Sequence, residues 1–511
     1  MNSRGGRISG KISGRHVFRS VAGRYVFVLA LLLGGSYAIS APATKATVLD
    51  KGHRILIERG LQIHAMVFVE NPFELKLLKE ANFTGVNFGW TSDMKKFGAP
   101  SPAPNAIAAR ASSGGAASAK PQADTPLTWS RWSTGGGAHE TSLKPDEQPY
   151  AHSMIAWACA DEENLNDPAM REKVAAWFAE TRPKFPDTIL YTNQYGGQVT
   201  NENLNAYVEA AKPDMLSFDT YPFLLDAPVG GSPTPFYGDA MRYRKHAIGR
   251  GIPYAMWIQT FNGENRYRNP SESEMRLNQF AAWTFGYKMV TAFTYNSGAT
   301  NLFKGPGDRN PTDALRQIAR INRESRNLGP ALVRLLNTDV RIIMGERREG
   351  EKTVANPQPV DVQPWRFGEN DPYLRGVSAE NIGKVNDKLR GDVLIGWFRP
   401  LQDERHGDET YFMVTNGLCA PPSAPVGGSA AACRQRITLN LHFKDSGITA
   451  LQRLSRATGK VEEVALKPVA NNPGRFLLML ELDGGTGDLF KFQTGAPFVG
   501  VDEGAAGKKR H

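Results

Sequence analysis

Three cysteines in 511 residues are too few for a disulfide scaffold, and neither a CxxC pair nor an HExxH run accompanies them. A thioredoxin-type redox motif and a zinc centre of ordinary ligand spacing are thereby excluded, and neither a metal nor another cofactor is expected. His139 and His152 lack ligand-spaced partners, and His64, inside the first strand signal, reads as a satisfied core histidine. No GxGxxG turn follows that strand, so the dinucleotide-binding fingerprint is absent. The apolar run Tyr25 to Leu33 is short for a spanning helix.

Acids are missing altogether from residues 1 to 24, which carry Arg4, Arg7, Lys11, Arg15, Arg19 and Arg24. The apolar run follows, then small residues through Ala41-Pro42-Ala43: the order of an export signal. Residues 1–43 are therefore expected to be a signal peptide, with an uncleaved anchor as the second choice and a secreted or periplasmic location. Its removal takes six of the ten net positive charges, so basicity gives no argument for nucleic acid, and no stable membrane span is expected after cleavage. Export suits Cys419 and Cys433, which flank a Pro/Gly/Ala/Ser-rich loop and are expected to be bridged, whereas Cys159 reads as a small buried hydrophobe. Residues 99–123 hold no acid and almost nothing large, and read as a flexible insertion.

From Gln62 onward strand and helix signals alternate. Strands are expected at Ile63–Glu70, Thr84–Trp90, Leu127–Trp132, Ser153–Asp161, Thr188–Tyr195, Asp214–Pro222, Pro253–Thr260 and Met289–Tyr295. Eight strands interleaved with helices predict an α/β fold, a (β/α)8 TIM barrel spanning residues 44–332. After the helix that begins at Asp313 the texture becomes short alternating segments, which predict a β-sandwich over 333–498 and a frayed tail at 499–511.

The sequence turns on Ser153 to Asn166, S-M-I-A-W-A-C-A-D-E-E-N-L-N. An apolar run fit for a strand buried on both faces breaks into three consecutive carboxylates and two asparagines. Such acids can serve the first turn of a helix or face the mouth of a barrel. Asp167-Pro168 reads as the cap and first turn of the next helix, which leaves Asp161, Glu162 and Glu163 in the loop. The other strand ends supply Trp90, Trp132, Asn193, Tyr195, Asp219, Tyr221, Gln259 and Tyr295, with Glu264 further along the loop after strand seven. Rings stack on sugar faces, amides and acids satisfy hydroxyls, and a carboxylate pair handles a glycosidic bond, so the set suits a carbohydrate.

The barrel, the A-D-E-E-N turn after strand four, F-D-T-Y-P after strand six, W-I-Q-T after strand seven and the appended β-domain resemble secreted bacterial glycoside hydrolases of the broad β-galactosidase-like type. The resemblance implies a glycoside hydrolase with an acid/base at the end of strand four and a nucleophilic Glu at the end of strand seven. Glu162 then matches the acid/base, and Asp161 replaces the usual Asn. Gln259 stands where the nucleophile is expected, so Asp219 and Glu264 are the candidates for the second carboxylate. Glu163 reads as a neighbour that modulates the acid, and the aromatics and amides as substrate contacts. The alternative is a non-catalytic carbohydrate-binding or matrix-associated protein that kept the barrel and lost the nucleophile.

Overall fold

A computed structural model describes residues 49–501 apart from 72, 90–91, 93, 98–125, 134–139, 226–232, 264–265, 306–309, 402–408, 445 and 449. The segments expected to be a signal peptide (1–43) and a flexible insertion (99–123), most of the expected tail, Trp90 and Glu264 lie outside the described residues. Eight parallel strands close in sequence order into a barrel: β1 (Gln62–Val67), β2 (Gly85–Phe88), β3 (Thr128–Trp132), β4 (Met154–Asp161), β5 (Ile189–Tyr195), β6 (Leu216–Asp219), β7 (Tyr254–Gln259) and β8 (Met289–Phe293). Each falls on its predicted segment.

Strand period accounts for the two apolar layers. Met66, Ala156, Ala158, Tyr191, Ala255 and Trp257 point inward and fill the barrel, while Ala65, Val67, Trp157, Cys159, Leu190, Met256 and Ile258 point outward against the helices. Both faces are buried, so these strands read as unbroken apolar runs. Each large side chain taken fully out of water contributes about 1.5–3 kcal/mol.

A helix starts at Pro168 and runs to Thr181, its Asp167 cap accepting from the Ala169 amide at 3.0 Å. Only Val174, Trp177, Phe178 and Thr181 of this helix are buried. The helix Glu272–Phe285 is buried from Ser273 to its end, because β-strands cover its outer side. Thr284 and Thr415 hydroxyls meet at 2.7 Å, Arg276 Nε donates to Thr486 Oγ1 at 2.8 Å, and Gly396 lies so close to the Thr284 carbonyl that a Cβ there would sit 2.1 Å from it.

Those strands belong to a β-sandwich. A seven-stranded sheet contains Leu335–Ile343, Val393–Pro400, Tyr411–Asn416 and Gly487–Phe492; a four-stranded sheet contains Leu374–Asn381, Gln435–His442 and Arg475–Leu482. Ile395, Trp397, Phe412 and Val414 pack between the sheets with Ile437, Leu439, Leu478 and Leu480. Leu394, Phe398 and Met413, on the other face, join the core around the barrel.

The expected bridge between Cys419 and Cys433 is not formed: both are free, buried thiols. Hydrogen bonds hold their loop instead. Ser271 Oγ donates to the Ala420 carbonyl at 2.7 Å, the Ala430 amide donates to Glu272 Oε2 at 3.2 Å, and the Cys433 thiol donates to Ser273 Oγ at 3.4 Å. Burial pushes the Cys433 thiol up to about 12 and Cys419 well above its ordinary value, so neither is a ready thiolate.

Candidate active site

The carboxyl ends of β4, β5 and β6 bring Asp161, Asn193 and Asp219 into one hydrogen-bonded row. Asn193 Nδ2 donates to Asp161 Oδ1 at 3.3 Å and to Asp219 Oδ1 at 2.9 Å, while Ser217 Oγ donates to Asn193 Oδ1 at 2.9 Å. Asp161 reaches this row through an irregularity in β4. Ala156 and Ala158 point inward, but Cys159 and Ala160 both lie in the outer layer, and the pairing with β5 shifts between Ala158 and Asp161. Plain alternation would have turned Asp161 outward; the bulge turns it in.

An amide nitrogen whose two protons diverge by about 120° holds those two carboxylate oxygens roughly 5.4 Å apart. Burial, followed by the charge of Glu162, raises the Asp161 carboxyl to about 7 even though the Asn193 bond opposes it. Burial and the charges of Glu162 and Asp161 likewise hold Asp219 well above the ordinary carboxylate range. Burial and the mutual repulsion of two like acids raise both carboxyl groups, which favours the singly protonated form of the pair.

Glu162 stands beside the row in an exposed position, with a left-handed backbone at φ 55°, its amide donating to the Asn193 carbonyl at 2.9 Å. Gln198 Nε2 donates to the Glu162 carbonyl, and Asn166 donates to the Gln198 carbonyl at 2.8 Å, tying the β4 and β5 loops together. Glu163 is half-buried and its charge also acts on Asp161.

Aromatic rings line the mouth next to the acids. Trp132 lies 5.2 Å from Trp257, Trp257 6.0 Å from Phe293, and Phe293 stacks on Tyr221 at 5.6 Å. Phe261 and Tyr267 meet Tyr221 edge-on at 5.0 and 6.0 Å. Tyr195, at the end of β5, is 48% exposed. Trp257, Phe293, Phe261, Tyr267 and Ser217 were not singled out from the sequence. Two-residue steps back from Gln259 and Asp219 along their strands would have found Trp257 and Ser217.

Two expected substrate contacts are corrected. Gln259 is buried, and its amide is spent on backbone: Oε1 accepts from the Phe223 amide at 3.0 Å, and Nε2 donates to the carbonyls of Phe223, Phe261 and Arg268 at 3.2, 3.3 and 2.9 Å. It staples the loops after β6 and β7 and presents no amide to the mouth. Tyr295 is fully buried in the outer layer, edge-on to Phe83 at 5.9 Å and Phe303 at 5.1 Å, because the chain leaving β8 turns its ring away from the barrel axis. No grouping of His, Cys, Asp and Glu suited to a metal ion is found among the described residues.

No family model and no curated protein matches this chain. Its structural neighbours among solved proteins are glycoside hydrolases. A β-galactosidase from Marinomonas ef1 matches at 12% identity and a TM-score of 0.34, over 52% of this chain and 60% of that one. A putative α-galactosidase from Bacteroides fragilis matches at 9% identity and a TM-score of 0.36, over 86% and 80%. A family 5 mannosidase from Rhizomucor miehei matches at 9% and 0.33, over 54% and 93%. The match to the Marinomonas enzyme spans less than two thirds of its length. Likeness this slight does not transfer an activity to this chain.

Proposed function

We propose that the chain is a glycoside hydrolase acting on poly- or oligosaccharides outside the cytoplasm, with Asp161 and Asp219 as the reacting pair. One observation carries the reading: a half-buried and a buried carboxyl group, both raised and joined through one amide nitrogen that sets their bonded oxygens roughly 5.4 Å apart, at the carboxyl end of a closed barrel and beside aromatic rings. That spacing suits a retaining mechanism. The protonated member gives its proton to the glycosidic oxygen as the bond to the anomeric carbon breaks, and the ionised member forms an ester to that carbon. Water then attacks the same carbon, gives a proton to the first acid and releases the second.

Glu162, expected from the sequence to be the proton donor, stands outside the Asn193 row. Here it is assigned the role of a charge that raises both acids. Gln259 staples loops and supplies no carboxylate at the end of β7, so Asp219 is the second acid of this reading. The test is release of reducing ends from a panel of plant and bacterial glycans by the purified chain and its Asp161→Asn, Asp219→Asn and Glu162→Gln variants. Turnover abolished by both Asp variants and retained by Glu162→Gln supports the assignment; full activity in either Asp variant overturns it.

A further inference from the structure

Two carboxyl groups that share a proton have an easier arrangement than the one observed. Left alone in a buried site, the acid donates straight to the carboxylate, with oxygens roughly 2.5–2.7 Å apart. That contact would close the gap in which an anomeric carbon must sit. Asn193 occupies the position that prevents it, since its nitrogen donates to one oxygen of each acid. Ser217 decides which end of the amide faces them: its hydroxyl holds Asn193 Oδ1 at 2.9 Å, and a reversed amide would set that oxygen against two acids. Asn193 and Ser217 are 3% and 2% exposed, so water does not substitute for either.

We propose that Asn193, oriented by Ser217, is a positioning residue that holds the two carboxyl groups apart at the reacting distance. The proposal rests on the assignment of Asp161 and Asp219 above. Among the described residues, the titratable groups acting on the pair are Glu162, Glu163, Tyr191, Tyr221 and Tyr243. A donor to a carboxylate favours its ionised form, and the direct acid–carboxylate contact that replaces the clamp favours the singly protonated pair, so losing the clamp moves the upper limb of the pH–rate profile to higher pH.

The test compares wild type, Ser217→Ala, Asn193→Ala and the double variant by pH–rate profile and by carbon-13 NMR titration of the aspartate carboxyl groups, which needs no substrate. Ser217→Ala should lower kcat, rather than raise KM, by roughly tenfold and shift the upper limb of the profile to higher pH. Asn193→Ala should do more of both, and the double variant no more than Asn193→Ala, because the serine acts only through the amide. Unshifted carboxyl titrations, or losses that multiply in the double variant, would overturn the clamp. If Asp161→Asn and Asp219→Asn keep full turnover, the catalytic assignment fails by itself, and the NMR titration still decides whether the clamp tunes the pair. If Asn193→Ala does not fold, Ser217→Ala alone decides.

Discussion

At the foot of the barrel His64 is buried among Gln62, Thr128 and Ser130; at its mouth Asp161 and Asp219 flank Asn193. Both are polar clusters enclosed by the same eight strands. The foot is uncharged and paired: His64 Nε2 lies 2.9 Å from Gln62 Oε1 and 3.1 Å from Thr128 Oγ1, while Nδ1 lies 3.2 Å from the Ser130 hydroxyl. Burial drives the imidazole down to about 3, so it stays neutral. The mouth crowds acids together and raises them. One end of the barrel spends its polar groups on a fixed structure, and the other keeps charge under tension where a substrate can use it.

The comparison predicts opposite responses to substitution, the largest at the mouth. Asp161→Asn or Asp219→Asn should cut turnover roughly a thousandfold, read as kcat/KM on any glycan of the panel. At the foot, Gly85→Ala should leave kcat alone and destabilise the fold by about 1–3 kcal/mol in chemical denaturation. A Cβ at Gly85 would meet His64 Nε2 at 2.4 Å and Thr128 Oγ1 at 2.5 Å, so the whole foot must shift. An equal loss of turnover would show that the two ends are coupled.

Stability against pH should also separate them. Asp161 rises from 3.8 to about 7 on folding, so the folded state holds its proton more tightly; the stability this gives is present below 3.8 and lost as pH rises through about 7. His64 falls from 6.5 to about 3, so its contribution is present above 6.5 and lost as pH falls toward 3. Thermal melts should therefore show Asp161→Asn more stable than wild type near neutral pH, with the advantage shrinking toward pH 4. A variant that melts lower than wild type at neutral pH would mean that the mouth stores no such cost.

The smallest effect concerns Glu162. Removing its charge in Glu162→Gln lowers both acids, so the pH–rate profile should move downward, its upper limb in the opposite direction to that of the Asn193 and Ser217 variants. Turnover should fall by less than the roughly hundredfold that loss of a proton donor costs. A larger loss, spared on activated aryl glycosides, would return the donor role to Glu162.

The barrel was legible because its strands are buried on both faces and punctuated by turn residues, and the sandwich because its strands alternate. The site was legible as a neighbourhood. Asp161, Asn193 and Asp219 were all picked out as strand ends, yet the bulge after Ala158 decides which acid of Asp161-Glu162-Glu163 faces inward, and no local pattern announces a bulge. Gln259 and Tyr295 show the same limit: standing at a strand end does not reveal whether a side chain meets the mouth or the neighbouring loops. The free thiols of Cys419 and Cys433 depend on how their loop is held by Ser271, Glu272 and Ser273, more than 140 residues earlier.

The spacing of Asp161 and Asp219 has a direct stereochemical consequence, which proton NMR of the first-formed hemiacetal would read within the opening turnovers on an active glycan, before mutarotation. Carboxylate oxygens bonded to one amide nitrogen, and so roughly 5.4 Å apart, predict a product with the anomeric configuration of the substrate. A product of inverted configuration would contradict the account, because inversion needs room for a water between the acids that this spacing does not leave.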